Sequence, residues 1–268
     1  MLDTALLPLR GREPAGRVDE ILDFLAERGS TSVVLLSVTG GGTSHRKRTE
    51  GRLDAVAVRA RERGLEPRVL VRSGSTATEI VAVSGEEDVG VITIMWKRKT
   101  WLQRSVLGSV TADVVRLSDI PVLVLKHQWV EPAEPREMTV LYATDFQATD
   151  ADISPYLRSP GLSAPRLHLF HAGRRAPDPE AERRRRGTAQ EALSRLAREF
   201  AGNFGQVDVS QAVGNPRRRI VREARQVGAS LIVVGKADAP RGLQAVLGST
   251  AEELPHSAGC SVLIIPRR

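Results

Sequence analysis

The sequence has little cysteine, few aromatic residues and no long apolar run. Cys260 is the one cysteine in 268 residues. An internal disulfide and a cysteine-built metal cluster are therefore excluded, and a reducing cytoplasm is the expected setting. Apolar stretches such as residues 33–36 fall far short of the roughly 20 residues a bilayer-spanning helix needs, so no membrane insertion is expected. Residues 1–4 lead almost at once into a strand pattern, and a secretory leader is not expected. Phe, Trp and Tyr make up only 4% of the chain, leaving little with which to stack single-stranded bases. No serine–histidine–aspartate order with an elbow motif occurs, nor a clear pair of catalytic carboxylates. Hydrolysis of a nucleoside triphosphate would need a metal ligand and a group that positions water, and no residue stands out as either.

Basic charge is abundant. Lys and Arg number 39 against 32 Asp and Glu, a formal charge of +7. Arginine concentrates in two clusters, Arg183 to Arg186 and Arg217 to Arg219. Clusters of this kind can hold phosphate backbones, but these lack interleaved aromatics. They read as solvated helix faces, and nucleic acid is not the expected partner.

The most informative positive feature is a repeat. Val106, Leu107, Gly108 and Ser109 return as Val246, Leu247, Gly248 and Ser249, a shift of 140 residues. The shift also aligns Gly74 with Gly214 and the strand at 121–125 with that at 261–265. A repeat this long is a whole domain rather than a solenoid unit. Short apolar runs alternate with segments of helical period. Strands are expected at 5–9, 32–38, 67–71, 89–95 and 121–126, with helices at 18–28, 46–63, 76–83 and 105–117. The second half repeats the order: strands at 139–143, 166–170, 207–213, 230–235 and 261–265, helices at 150–157, 180–200, 216–227 and 249–254. Pro255 is expected to end the last helix. Alternation of this kind implies βαβ units and a parallel sheet. Each half is then a flavodoxin-like α/β domain of five parallel strands in order 3-2-1-4-5, with domains at 1–126 and 138–268 and a proline-rich charged linker at 127–137. Ligands of such sheets lie where strand order reverses, beyond the ends of the first and fourth strands. Those positions hold Asp145, Phe146, Gly235 and Lys236 in the second half, and Arg10, Gly11, Met95 and Trp96 in the first.

With these residues in view, the chain resembles the tandem form of the universal stress protein family over nearly its whole length. The likeness rests on the strand order, on Leu231 to Gly235, on Gly248, Ser249, Thr250, Ala251 and Glu252, and on Gly259 to Ile264. It implies two adenine nucleotide alpha hydrolase-like domains in contact through their last strands. Nucleotide-binding members carry Gly-x2-Gly-x9-Gly-Ser/Thr after the fourth strand and an aspartate ending the first. The second half reads Gly235-x2-Asp238-x9-Gly248-Ser249, with Asp238 where the second glycine would be. Asp145 matches the adenine-side aspartate, and Ala172 a position whose backbone touches the base. The resemblance thus implies a nucleotide site of Asp145, Ala172, Gly235, Asp238, Gly248, Ser249 and Thr250, with ATP as ligand and Mg²⁺ accompanying it.

Such a pattern has a physical basis. Glycine lets backbone approach phosphate oxygens, and Gly248 and Ser249 open a helix whose free N–H groups favour an anion. Asp238 opposes this with a side chain and a negative charge, which Lys236 and Arg241 could offset. The first half reads Met95-x2-Arg98-x9-Gly108-Ser109, with Arg10 for the aspartate and Trp96 and Trp101 beside the loop, so its site is degenerate. Because Gly108 and Ser109 persist there, the pair also reads as a plain helix start, with serine as cap.

Two functions lead: a cytoplasmic stress-response regulator binding ATP in the second domain, or an interaction protein that binds no nucleotide; a third, less favoured, is an anion- or nucleic-acid-associated protein using the arginine clusters. A homodimer or a protein partner fits either of the first two. His168 and His171 are read as sharing one strand face without a third metal ligand, and Cys260 as a buried thiol without a cationic partner.

Overall fold

A computed structural model describes residues 2–40, 42–96, 109–126, 138–147, 149–158, 162, 164–236 and 250–267. Its contacts fall into two compact units, Met1–Leu123 and Val124–Arg268.

The first half runs β1 (Thr4–Pro8), α1 (Ala15–Glu27), β2 (Ser32–Val38), α2 (Thr43–Arg61), β3 (Glu66–Arg72), α3 (Thr76–Glu86), β4 (Val91–Met95), α4 (Ser109–Leu117) and β5 (Val122–Leu125). Its strand order is β3-β2-β1-β4-β5, and the registered neighbours are parallel. The central strands are apolar throughout because helices cover both faces of a parallel sheet: Leu6, Leu7, Val33, Leu35, Leu36 and Ile92 are fully buried. Helix α1 turns Val18, Ile21, Leu22 and Leu25 inward, the helical period. The expected helix start at 105 falls partly outside the described residues.

The second half repeats the plan with β6 (Thr139–Thr144), α5 (Thr149–Leu157), β7 (Arg166–Gly173), α6 (Pro179–Phe200), β8 (Gln206–Val213), α7 (Pro216–Gln226), β9 (Leu231–Lys236), α8 (Thr250–Ser257) and β10 (Ser261–Pro266). The strands lie in the order β8-β7-β6-β9-β10, again parallel. Helices α6 and α7 open alike. Asp178 caps α6 by accepting from the N–H of Glu180 at 2.9 Å and of Ala181 at 2.8 Å. Asn215 caps α7 by accepting from Arg218 N–H at 3.1 Å. A proline follows each cap, where no N–H is needed.

The repeat extends to backbone geometry. Gly74 and Gly214 precede α3 and α7 with φ of +146° and +138°. A Cβ at Gly74 would lie 2.7 Å from Glu79 Oε1, and one at Gly214 would lie 2.9 Å from Arg219 Nε. Both positions therefore favour glycine for conformation, while the crowding atoms are ends of flexible side chains that can move aside. Pro255 does not end the last helix: α8 continues through it to Ser257. Proline costs one backbone bond there, but Leu254 and Pro255 are buried and Ala258 N–H closes on the Leu254 carbonyl at 2.8 Å.

The two strand histidines do not share a face. They are three residues apart, and side chains alternate along a strand. His168 Nε2 lies 2.7 Å from Ser210 Oγ and 3.0 Å from Glu223 Oε1 on α7. His171 Nδ1 instead donates to the Thr144 carbonyl at 2.9 Å. Ser210 donates its hydroxyl to Glu223 Oε1 at 2.6 Å. Both groups facing His168 Nε2 then accept, so that nitrogen carries the hydrogen. Serine and carboxylate share one imidazole nitrogen, unlike a catalytic relay, in which the acid orients the other nitrogen. The cluster joins β7, β8 and α7. Among the described residues no group of three or more His, Cys, Asp or Glu could hold a metal.

Cys260 is partly exposed, and it has a cationic neighbour after all. Lys126, 8% exposed, falls in the second unit. Its Nζ donates to the Ala258 carbonyl at 3.1 Å, and its backbone N–H donates to Ser261 Oγ at 3.1 Å. Burial lowers the Lys126 ammonium to about 8, partly offset by Cys260. Burial likewise raises the Cys260 thiol to about 11.

Two predictions follow from these buried groups. Glu223→Ala, which strands His168 and Ser210, is expected to cost about 1–3 kcal/mol, read as a lower denaturant midpoint; an unchanged midpoint would show that the cluster contributes nothing. Lys126 has a lowered folded pKa, so between pH 8 and its ordinary value the unfolded chain binds the extra proton and stability rises with pH. Cys260 acts oppositely from its ordinary value of 9 up to 11, because the folded thiol keeps its proton. Cys260 titrates in both proteins and largely cancels in their difference, so the stability of wild type relative to Lys126→Met should rise from pH 8 to 10.5, by on the order of 1 kcal/mol for each pH unit. A difference independent of pH would refute the assignment.

Candidate functional site

The β6–β9 ladder carries its last registered pair at Ala143 and Val234. Asp145 and Gly235 lie just past it, where the first strand of this half parts from its fourth. On the other side Thr144 pairs with His171, which sets Asp145 beside Ala172. Strand β9 continues against β10 through Gly235 and Lys236. Asp145, Ala172 and Gly235 thus stand together at the carboxyl ends of three adjacent strands. Thr250 begins α8. Asp238, Gly248 and Ser249 lie outside the described residues.

The exit of β6 is held in detail. Asp145 is exposed, and its Oδ1 accepts from Gln147 N–H at 3.1 Å. Phe146 has φ of +60°, uncommon for a bulky residue. Its N–H donates to Thr144 Oγ1 at 2.9 Å, and its ring stacks on His171 with centroids 4.5 Å apart and 27° between planes. Thr144 Oγ1 donates to Asp150 Oδ2 at 2.7 Å, and the Tyr142 hydroxyl donates to Asp150 Oδ1. Burial pushes the Asp150 carboxyl above its ordinary value, against the two hydroxyl donors that lower it. Burial, together with Asp150, also drives the Tyr142 hydroxyl upward, so it remains a donor. Sequence reading missed Tyr142, Thr144 and Asp150, and took His171 only as a strand histidine paired with His168. The one available clue was a run of polar residues closing an apolar strand.

Chemically, this end of the sheet offers an exposed carboxylate, small residues at Ala172 and Gly235, and the start of a helix. Helix α8 also carries Glu252 and Glu253 in its first turn, and Glu253 is paired with Arg217 of α7. Those acids oppose an anion at that helix end.

The equivalent place in the first half is built differently. Arg10 is exposed, and its N–H donates to Glu13 Oε1 at 3.0 Å. Arg17 Nη2 donates to the Trp96 carbonyl at 3.4 Å, which ties the start of α1 to the end of β4. Trp101, Arg98 and Gly108 lie outside the described residues. An open cleft of about 870 Å³ does occur in this half, but elsewhere: Arg46, Glu50, Asp54, Val71, Arg72 and Glu79 are among its lining.

The cluster Arg183 to Arg186 is exposed, whereas in the second cluster Arg217 and Arg219 are half-buried and Arg217 pairs with Glu253. Arg184 and Arg186 pair with Glu180 and Glu182 one turn earlier on α6, with both arginines more than half exposed. Such exposed pairs contribute little to stability.

Comparison with known proteins agrees with this architecture. The sequence profile of the universal stress protein family matches residues 6–126 and 162–266. A universal stress protein from Archaeoglobus fulgidus DSM 4304 superposes with a TM-score of 0.78 at 22% identity, covering 100% of both chains. A second structure, described as a putative universal stress protein from Pseudomonas aeruginosa UCBPP-PA14, gives 0.75 at 21% identity over 99% of this chain and 93% of that one. A functionally unknown protein from Pseudomonas aeruginosa PAO1 gives 0.74 at 20% identity over 99% and 92%. At these identities the likeness speaks for the fold alone. No curated protein matches the chain.

Proposed function

The chain belongs to the universal stress protein family, and we propose that it is a stress-response regulator whose second domain binds an adenine nucleotide. The observation that carries the proposal is the meeting of Asp145, Ala172 and Gly235 where β6 and β9 part. In this reading Asp145 accepts hydrogen bonds from the nucleoside, and the backbone at Ala172 borders the base. Gly235 and Gly248 admit the phosphates close to the chain, and the first N–H groups at Ser249 and Thr250 hold them. Asp238 adds a negative charge to that motif, which Lys236 and Arg241 would counter. Mg²⁺, entering with ATP, would neutralise phosphate charge. The reading needs no catalytic step: binding favours the ligand-competent state and shifts what the domain associates with.

We place the protein in the cytoplasm, as a homodimer or bound to a protein partner, with domains at 1–126 and 138–268 joined by 127–137. Among the described residues no helix is long and apolar enough to cross a membrane. A second reading, an interaction protein without nucleotide, draws support from Asp238 and from the acids opening α8.

Calorimetric titration separates the two. ATP with and without Mg²⁺ should bind the wild-type chain, and Gly248→Val should weaken binding at least tenfold, about 1.4 kcal/mol. Asp238→Gly should strengthen it. Absence of heat and of any thermal shift at millimolar ATP decides for the second reading.

A further inference from the structure

Asp150 lies outside the family's nucleotide motif, yet the turn that presents Asp145 depends on it. Its half-buried carboxylate receives the Tyr142 hydroxyl on one oxygen and the Thr144 hydroxyl on the other, the latter at 2.7 Å. Tyr142 and Thr144 are 1% and 5% exposed, so neither hydroxyl has water as a ready substitute. Once Thr144 Oγ1 donates to the carboxylate it can only accept, and it accepts the Phe146 N–H at 2.9 Å. The Thr144 carbonyl accepts from His171 Nδ1, whose ring stacks on Phe146. One negative charge therefore orders a chain of donors that ends at a residue with φ of +60°. A backbone in that region persists only when its surroundings over-determine it. Asp145 sits between the two anchored residues.

Resting on the nucleotide reading, we propose that Asp150 is the positioning residue of that site: through Thr144 and Phe146 its ionised carboxylate sets the turn that aims Asp145 at the ligand. Other charged groups surround helix α5. Asp145 and His171 approach from the strand ends, Asp152 shares the helix, and Lys236 ends β9. On α6, Glu199 is tied to Ser154 and Arg158. Strand β10 brings no ionisable residue. Asp150 alone receives both hydroxyls. Protonation removes its charge and weakens the donor chain, since charge-assisted bonds are roughly twice as strong as neutral ones. Because burial raises this carboxyl, the effect begins at higher pH than for an ordinary aspartate.

The test uses the full chain with two readouts, ATP titration across pH 5–8 and hydrogen exchange at the Phe146 and Gln147 amides. Wild type should lose ATP affinity and amide protection together on acidification. Asp150→Asn should bind about tenfold more weakly at pH 7.5, a loss of one charge-assisted bond, and should lack that acid-side decline. General destabilisation would lower affinity but leave the decline in place. Thr144→Val, which keeps Asp150 and removes the relay hydroxyl, should lose Phe146 protection even if Asp150→Asn folds poorly. Wild-type protection at Phe146 in both variants overturns the proposal. Wild type that binds no ATP overturns the nucleotide reading, while exchange still decides whether Asp150 holds the turn.

Discussion

Parallel strand pairing is the constraint on which the rest depends. Each parallel connection must cross the sheet, so helices cover its faces and the strands are apolar along their length. The chain builds outward from β6 through β7 to β8, then returns to place β9 on the other side of β6. At that return the strand order reverses between the neighbours β6 and β9. Their carboxyl ends are left as the place where backbone and side chains can meet a ligand. Asp145, Ala172 and Gly235 reach one another for this reason, although they are far apart in sequence.

The two halves keep what the fold requires and differ in what chemistry requires. Gly74 and Gly214 occur at equivalent helix entries, with similar left-handed φ and a long side chain crossing the same space. Residues with a Cβ rarely adopt that backbone conformation, and glycine stands in each copy. At the exit of the first strand the copies diverge. Arg10 folds its backbone onto Glu13, whereas Asp145 stands exposed on a turn anchored by Thr144 and Phe146. Shared features of the repeat therefore report scaffold, and unshared ones report use.

The polar groups inside the second compact unit show the same economy. Asp150 takes two hydroxyls, Glu223 takes Ser210 and His168, and Lys126 takes the Ala258 carbonyl. In each case partners come from different elements, because a half-buried polar group is stable only when its hydrogen bonds are made. These links tie helices to strands at defined registers, which apolar contact alone does not specify.

Much of this was legible from the residues. Apolar period and the 140-residue shift were enough for the strands, the helices, the duplication and the position of the strand-order reversal, because local pattern and burial decide these. The strand-order reversal pointed to Asp145 and Gly235, and the family resemblance added Ala172 and the roles of all three. Pro255 was misread as a stop, because burial of Leu254 and closure by Ala258 outweighed one lost backbone bond. His168 and His171 were misread as sharing a face, although alternation along a strand already separates them. Cys260 seemed to lack a cation because Lys126 lies remote in sequence. By itself, then, the sequence determined the parallel α/β scaffold and its two copies, since period and composition act locally. Only the tertiary structure decided which polar groups meet: Asp150 with Tyr142 and Thr144, Glu223 with His168 and Ser210. Hydrogen bonds between distant elements depend on register and direction, and neither is written in the spacing of residues along the chain.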